Sequence, residues 1–185
     1  MRKLIFAINI TIDGCCDHTK GISDEETHEY FAVMLGETDT LIYGRKTYEL
    51  MVPFWPDIAR NQSAPSKSTN DFAKAFDAVD KIIVFSHTLT AADHPKTRIV
   101  NTDIGEEIIR LKQENGKDIL LGGVDVPSQL MRLNLIDEYR FVVHPVIAGE
   151  GRRLLEGASL QDMLKLNLVY TKAFKSGCIA LHYTR

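Results

Sequence analysis

The chain has 185 residues, 44% of them hydrophobic, enough to core one domain over residues 1–185 and short for two. Its 22 basic and 25 acidic residues leave a formal net charge of −3 with no polybasic run, which argues against nucleic acid or an anionic membrane surface as partner. No apolar run reaches the roughly 18 residues of a membrane span, the opening MRKLIFAINITIDG turns polar too early for a secretory signal, and Cys15, Cys16 and Cys178 form no C-x-x-C, so a reduced, cytoplasmic protein without disulfide or metal is expected.

Residues 4–12, LIFAINITI, are β-branched, aromatic and apolar almost throughout, the pattern of a central strand covered on both faces. Asp13-Gly14 ends it as a turn. Ser23 with Glu26 reads as a capping box for a helix whose Tyr30, Phe31, Met34 and Leu35 face the core, stopped at Gly36. A second strand, residues 40–43, runs into Gly44-Arg45-Lys46-Thr47 and then into helical sequence. Residues 53–70 are rich in Pro, Ser, Asn and Lys, with Trp55 between two prolines, and read as a long surface loop of the kind that serves as a lid or binding loop. A short helix over 71–78 and a buried strand over 81–85 follow, the strand ending at Ser86-His87-Thr88.

Another strand, residues 98–101, leads to a helix capped by Asp103, with Ile104, Ile108 and Leu111 on its buried face and a stop near Asn115-Gly116. Ile119, Leu120 and Leu121 form a buried strand broken at Gly122-Gly123. In the helix expected next, Asp125 can cap, Pro127 is tolerated in the first turn, and Val126, Leu130 and Leu133 share a face. A strand over 139–147 is interrupted at His144-Pro145, followed by Gly149-Glu150-Gly151 and Arg152-Arg153. Residues 166–174 and 178–183, joined by Lys175-Ser176-Gly177, form a hairpin. Strands alternating with helices and an antiparallel tail imply an α/β fold with a mixed sheet and helices on both faces.

Three strand ends carry phosphate-compatible sequence: Gly44 to Thr47, Ser86 to Thr88, and Gly122-Gly123 with the helix start behind it. In open α/β sheets the ligand lies beyond the carboxyl ends of the strands. Arg45 offers a planar fork to a phosphate, and Thr47, Ser86 and Thr88 offer hydroxyls. Taken singly, each has a plainer reading. A Gly-Gly pair makes tight turns, and Arg45 and Lys46 can be solvated surface cations.

LIYGRKTYE, VFSHTL, ILLGG with its helix, and EYRFVVHPVIAGEGRRLLE together resemble the dihydrofolate reductase superfamily, in particular the branch similar to the C-terminal reductase domain of riboflavin biosynthesis. The resemblance implies a three-layer αβα sandwich on a mixed, mainly parallel sheet, with NADPH as cofactor. It places Gly44, Arg45, Lys46 and Thr47 beside the phosphates, Ser86, His87 and Thr88 around the adenosine 2′-phosphate, and Gly122, Gly123, Val124 and Asp125 under the pyrophosphate. Ala7, Ile8 and Ile12 would face the nicotinamide.

On the substrate side the pattern departs from the family. The acid that holds the ring in dihydrofolate reductases falls near His28, between Glu26 and Glu29, and the Glu expected before the Gly-Gly pair is Leu121. His28, Glu29 and Asp13 are therefore the candidate catalytic residues, each with a plainer reading as an exposed helix position or a turn. The expectation is an NADPH-dependent reductase of a small heterocyclic or carbonyl-bearing substrate, acting as a homodimer. A nucleotide-binding module without catalysis and a true dihydrofolate reductase are the alternatives.

Overall fold

A computed structural model describes residues 1–22, 24–156 and 159–185. Its strands are β1 (Leu4–Thr11), β2 (Thr38–Gly44), β3 (Lys81–Phe85), β4 (Thr97–Val100), β5 (Asp118–Leu121), β6 (Glu138–His144), β7 (Asn167–Ala173) and β8 (Ile179–Thr184). The helices are α1 (Glu25–Gly36), α2 (Arg45–Met51), α3 (Trp55–Asn61), α4 (Lys67–Asp77), α5 (Ile104–Gln113) and α6 (Asp125–Arg132). One eight-stranded sheet runs in the order β4-β3-β2-β5-β1-β6-β8-β7. Neighbours from β4 to β6 are parallel, and β8 and β7 add an antiparallel pair at one edge.

Side-chain alternation along the strands divides the core between two faces. Leu4 and Phe6 of β1, Ile42 of β2, Ile83 of β3 and Ile119 and Leu121 of β5 pack with Ile108 and Leu111 of α5 and Leu130 of α6. Their neighbours Ile5, Ala7, Leu41, Ile82, Val84 and Leu120 pack with Met34 and Leu35 of α1, Tyr48 of α2 and Phe72 and Phe76 of α4. Because β1, β2, β3 and β5 are covered on both faces, each carries a run of consecutive apolar residues, as in residues 4–8, 41–43, 82–85 and 119–121, and the expected three-layer αβα sandwich is what forms. Among the described residues, no helix is long and apolar enough to cross a membrane.

Several local expectations change. Ser23, half of the anticipated capping box, lies outside the described residues, and Asp24 caps α1, its Oδ1 accepting from Thr27 N–H at 2.7 Å. Glu26 instead accepts from Lys175 N–H at 2.6 Å. The stretch read as a loop over 53–70 holds all of α3 and the start of α4. Pro56 sits in the first turn of α3, where no intrahelical N–H is lost, and Ser66 caps α4 through Thr69 N–H at 3.2 Å. Leu133 follows α6 as its C-cap and is 50% exposed.

Candidate functional site

β3, β2 and β5 are adjacent and parallel, with Phe85 paired to Gly44 and Ile42 to Leu121. Their carboxyl ends therefore open on one rim of the sheet. The segments that follow, 44–47, 86–88 and 122–125, all line one cleft of about 1910 Å³, larger than the roughly 300–1,000 Å³ of pockets for drug-sized molecules. Asn101, Thr102 and Asp103, beyond the end of β4, line it as well; Asp103 is legible in the sequence as the cap of α5 but not as a cleft residue.

The glycines are where the segments touch. Gly123 has φ +88°, and a Cβ there would lie 2.5 Å from Thr47 Oγ1. At Gly122 it would lie 2.7 Å from the buried ring of Tyr43. The β5-to-α6 turn thus rests on the β2-to-α2 turn with no room for a side chain between them. Among the described residues, no side chain caps α6. Its opening N–H groups are left to water or to an anion in the cleft.

Arg45 is half-buried and its Nη1 donates to Glu49 Oε1 at 3.0 Å and Oε2 at 2.9 Å. Such an exposed pair one helical turn apart is weak, about 0.3–0.5 kcal/mol. Ser86 Oγ accepts from the N–H groups of Thr88 at 3.2 Å and Leu89 at 2.9 Å, closing a small turn that presents His87 and Thr88 as exposed residues. Asp125 does not cap α6. Its carboxylate is gripped by Arg152, whose Nη1 donates to Oδ2 at 3.1 Å, and this guanidinium holds the carboxyl below its ordinary range. Arg152 also lines the cleft. Asp125 and Arg152 are 27 positions apart, so no spacing rule connects them.

At the β1 end, Ala7 and Ile8 line the cleft. Ile12 does not: β1 stops at Thr11, the turn carries Ile12 outward to 63% exposure, and its N–H donates to Val146 O at 2.9 Å. Nor does Asp13. Its carboxylate accepts from Thr11 Oγ1 at 2.5 Å and from the N–H groups of Ala148 and Gly149, each at 3.0 Å, and pairs with Arg153 at 3.3 Å. Those donors, Thr11 first, hold its pKa far below the usual carboxylate range. Asp13 fastens a loop and keeps no proton to donate. Glu29 is exposed on α1 and outside the cleft lining.

His28 does reach the cleft. Its ring packs against Trp55 and Phe72, centroids 6.1 and 5.7 Å away, and Nδ1 is 3.2 Å from Thr69 Oγ1. Burial pushes its pKa down, with Asp24 partly opposing, so at pH 7 it is a neutral hydrogen-bonding group. His144, which also lines the cleft, is buried, and Ile22 N–H donates to its Nδ1 at 3.0 Å. That leaves the proton on Nε2, which donates to Asn9 Oδ1 at 3.1 Å and fixes the orientation of an exposed cleft-lining amide. Burial pushes the Cys16 thiol up to about 11, with Cys15 adding to the effect, so it is protonated at neutral pH and a poor nucleophile.

Burial lowers the pKa of His28, His94, His144 and His182 alike. Below the unfolded value of 6.5, the unfolded chain therefore binds more protons than the native one, and stability drops as the pH is lowered. The melting temperature is expected to be level above about pH 7 and to decline through the window below 6.5. A flat profile between about pH 7 and 5 in thermal melts would contradict this.

The strand order, the crossovers and a cleft at the carboxyl rim define a dihydrofolate reductase-like α/β protein. Residues 2–180 match the model of the RibD C-terminal domain, and the chain belongs to that family, a family of reductases. It is 31% identical over 186 residues to the uncharacterized protein YyaP of Bacillus subtilis (strain 168), covering 98% of this chain and 94% of that one. A crystal structure of a putative riboflavin biosynthesis protein from Shewanella sp. PV-4 superposes with TM-score 0.75 at 18% identity, covering 99% of this chain and 98% of that one. A diaminohydroxyphosphoribosylaminopyrimidine deaminase/5-amino-6-(5-phosphoribosylamino)uracil reductase from Thermotoga maritima superposes with TM-score 0.63 at 18% identity, covering 99% of this chain and 56% of that one.

Proposed function

We propose that the chain is an NADPH-dependent reductase of a small heterocyclic or carbonyl-bearing substrate. The observation that carries this reading is the meeting of three strand-end segments at one cleft, where Gly123 lies against Thr47 and Arg45, Lys46, Ser86, His87 and Thr88 share the lining. Membership of a reductase family supports it. A dinucleotide fits the donor set: glycine backbone and an uncapped helix start for the pyrophosphate, cations and hydroxyls for a phosphomonoester.

When bound, the cofactor supplies a hydride, which with one proton from solvent reduces a C=N, C=C or C=O bond and leaves NADP+. The protein's part is to hold and orient. Ala7 and Ile8 would give the nicotinamide an apolar floor, Asn9, oriented by His144, would offer it a fixed amide edge, and Arg152, by pairing with Asp125, would keep that carboxylate from repelling the phosphates. Arg152→Ala is accordingly expected to weaken NADPH roughly threefold, in keeping with an exposed ion pair of up to about 1 kcal/mol. Adding Asp125→Asn should restore the affinity, and calorimetry showing no recovery would remove this role for Arg152.

The direct test is calorimetric titration with NADPH and NADH. NADPH is expected to bind at least about tenfold more tightly. Absence of binding up to roughly 1 mM NADPH would defeat the reading. NADPH binding with no oxidation across folates, pyrimidines and quinones would favour the second reading, a non-catalytic nucleotide-binding module, which Leu121 and the outward-facing Glu29 keep in view. A homodimer belongs to the same proposal, supported by the wholly exposed edge strand β7 with Leu168 and Val169 more than half exposed. A monomer mass in solution would remove it.

A further inference from the structure

We infer that the substrate taken beside the cofactor is an uncharged, planar conjugated ring carrying no phosphate, stacked on Trp55 and hydrogen-bonded along one edge by His28. The inference rests on the reductase reading and names the substrate class of that site. α1, α3 and α4 together build an aromatic wall on the cleft. Trp55 is half-buried, 4.5 Å from Phe72 at 70° and 4.9 Å from Phe54 at 81° between ring centroids. Edge-to-face contacts of this kind hold an indole in place, and the part of it that remains exposed lines the cleft. His28, packed on Trp55 and Phe72, has Nδ1 engaged by Thr69. Among the described residues its Nε2 has no protein partner, which leaves one hydrogen bond for a ring heteroatom or carbonyl.

Charge separates this end of the cleft from the other. Its cation Arg60 is turned to solvent, its side chain 71% exposed, with Asp57 3.4 Å away. His28 is neutral at pH 7 because burial disfavours its charged form. The residues of the wall itself, His28, Trp55, Phe54 and Phe72, bring no charge, whereas the strand-end segments supply Arg45, held only by its weak pair with Glu49, and Lys46. A phosphate dianion needs charge-assisted donors, and this wall offers an aromatic face instead. The Thermotoga maritima protein, by contrast, is described as a reductase of a phosphoribosylated uracil.

The test uses the wild-type chain with a matched pair of probes, riboflavin and riboflavin 5′-phosphate, together with menadione, each measured by equilibrium dialysis with and without NADPH. Riboflavin and menadione are expected to be retained, and the phosphate to bind at least roughly tenfold more weakly than riboflavin. Trp55→Leu should weaken both uncharged rings by roughly tenfold, the scale of one lost stacking contact, with NADPH affinity changed less than about twofold. Equal or tighter binding of the phosphorylated probe overturns the inference, as does NADPH binding with neither uncharged ring retained. If the rings bind while NADPH does not, the reductase reading falls and the ring site stands.

Discussion

Substituting Arg45 by alanine is expected to weaken NADPH roughly 10- to 100-fold while altering NADH by less than about threefold. A hydrogen bond to a charged group contributes about 1.5–3 kcal/mol, and each 1.4 kcal/mol is about a factor of ten in affinity. Arg45 stands at the end of β2, where its strand neighbour β3 delivers Ser86, His87 and Thr88, so its fork and their donors converge on whatever anion lies between the two strands. Its resting partner Glu49 is an exposed helix neighbour, and exchanging that weak pair for a phosphate costs little. Calorimetry with both cofactors checks the result. Equal loss for NADPH and NADH would mean that Arg45 serves a phosphate common to both.

Gly123→Ala should have a comparable effect by a different physical route. At φ +88° an L-residue meets a backbone penalty of roughly 1–2 kcal/mol, and the new methyl would press on Thr47 Oγ1 from 2.5 Å. Either the turn shifts or Thr47 leaves its rotamer, at about 0.5–1.5 kcal/mol more. The chain should melt several degrees lower, at roughly 2–4 °C per kcal/mol for a domain of this size. Its NADPH affinity should fall at least about tenfold if, as proposed, the displaced backbone is what the pyrophosphate rests on. An alanine variant that melts and binds as the wild type does would show that the Gly123–Thr47 contact is not part of the site.

What could be read in the sequence was what short stretches determine. The apolar run of β1, the strand-to-glycine breaks at Gly44 and Gly122, the cap at Asp103 and the turn at Gly177 are consequences of neighbours a few residues apart, and they reappear in the fold. Strand order is not local. That β2 lies between β3 and β5, so that Gly44, Ser86 and Gly122 share a rim, depends on pairings some 80 positions apart between Leu41 and Leu120, and only the family resemblance anticipated it.

The misreadings have physical causes. Pro56 and the polar residues of 53–70 read as loop signals, yet proline in a first helical turn and serine at an N-cap start helices, so α3 and the aromatic wall on Trp55 are not legible there. The family resemblance puts Ile12 at the nicotinamide, but β1 ends one residue too soon for Ile12 to face the cleft. Asp13 spends its carboxylate on the 148–149 backbone. Glu29 fell one step along α1 from His28, which turns it about 100° away from the cleft. The Asp125–Arg152 pair carries no pattern that a single sequence could display.

Trp55 is the one tryptophan in the chain and it lines the same cleft as Arg45 and Gly123, so it reports on the central claim directly. Exciting it while titrating NADPH should quench its emission and raise that of the reduced nicotinamide, with both signals saturating together and both lost on adding excess NADP+. Unchanged tryptophan emission at NADPH concentrations up to roughly 1 mM would contradict the account, because it would mean that the meeting of the three strand ends does not form a dinucleotide site.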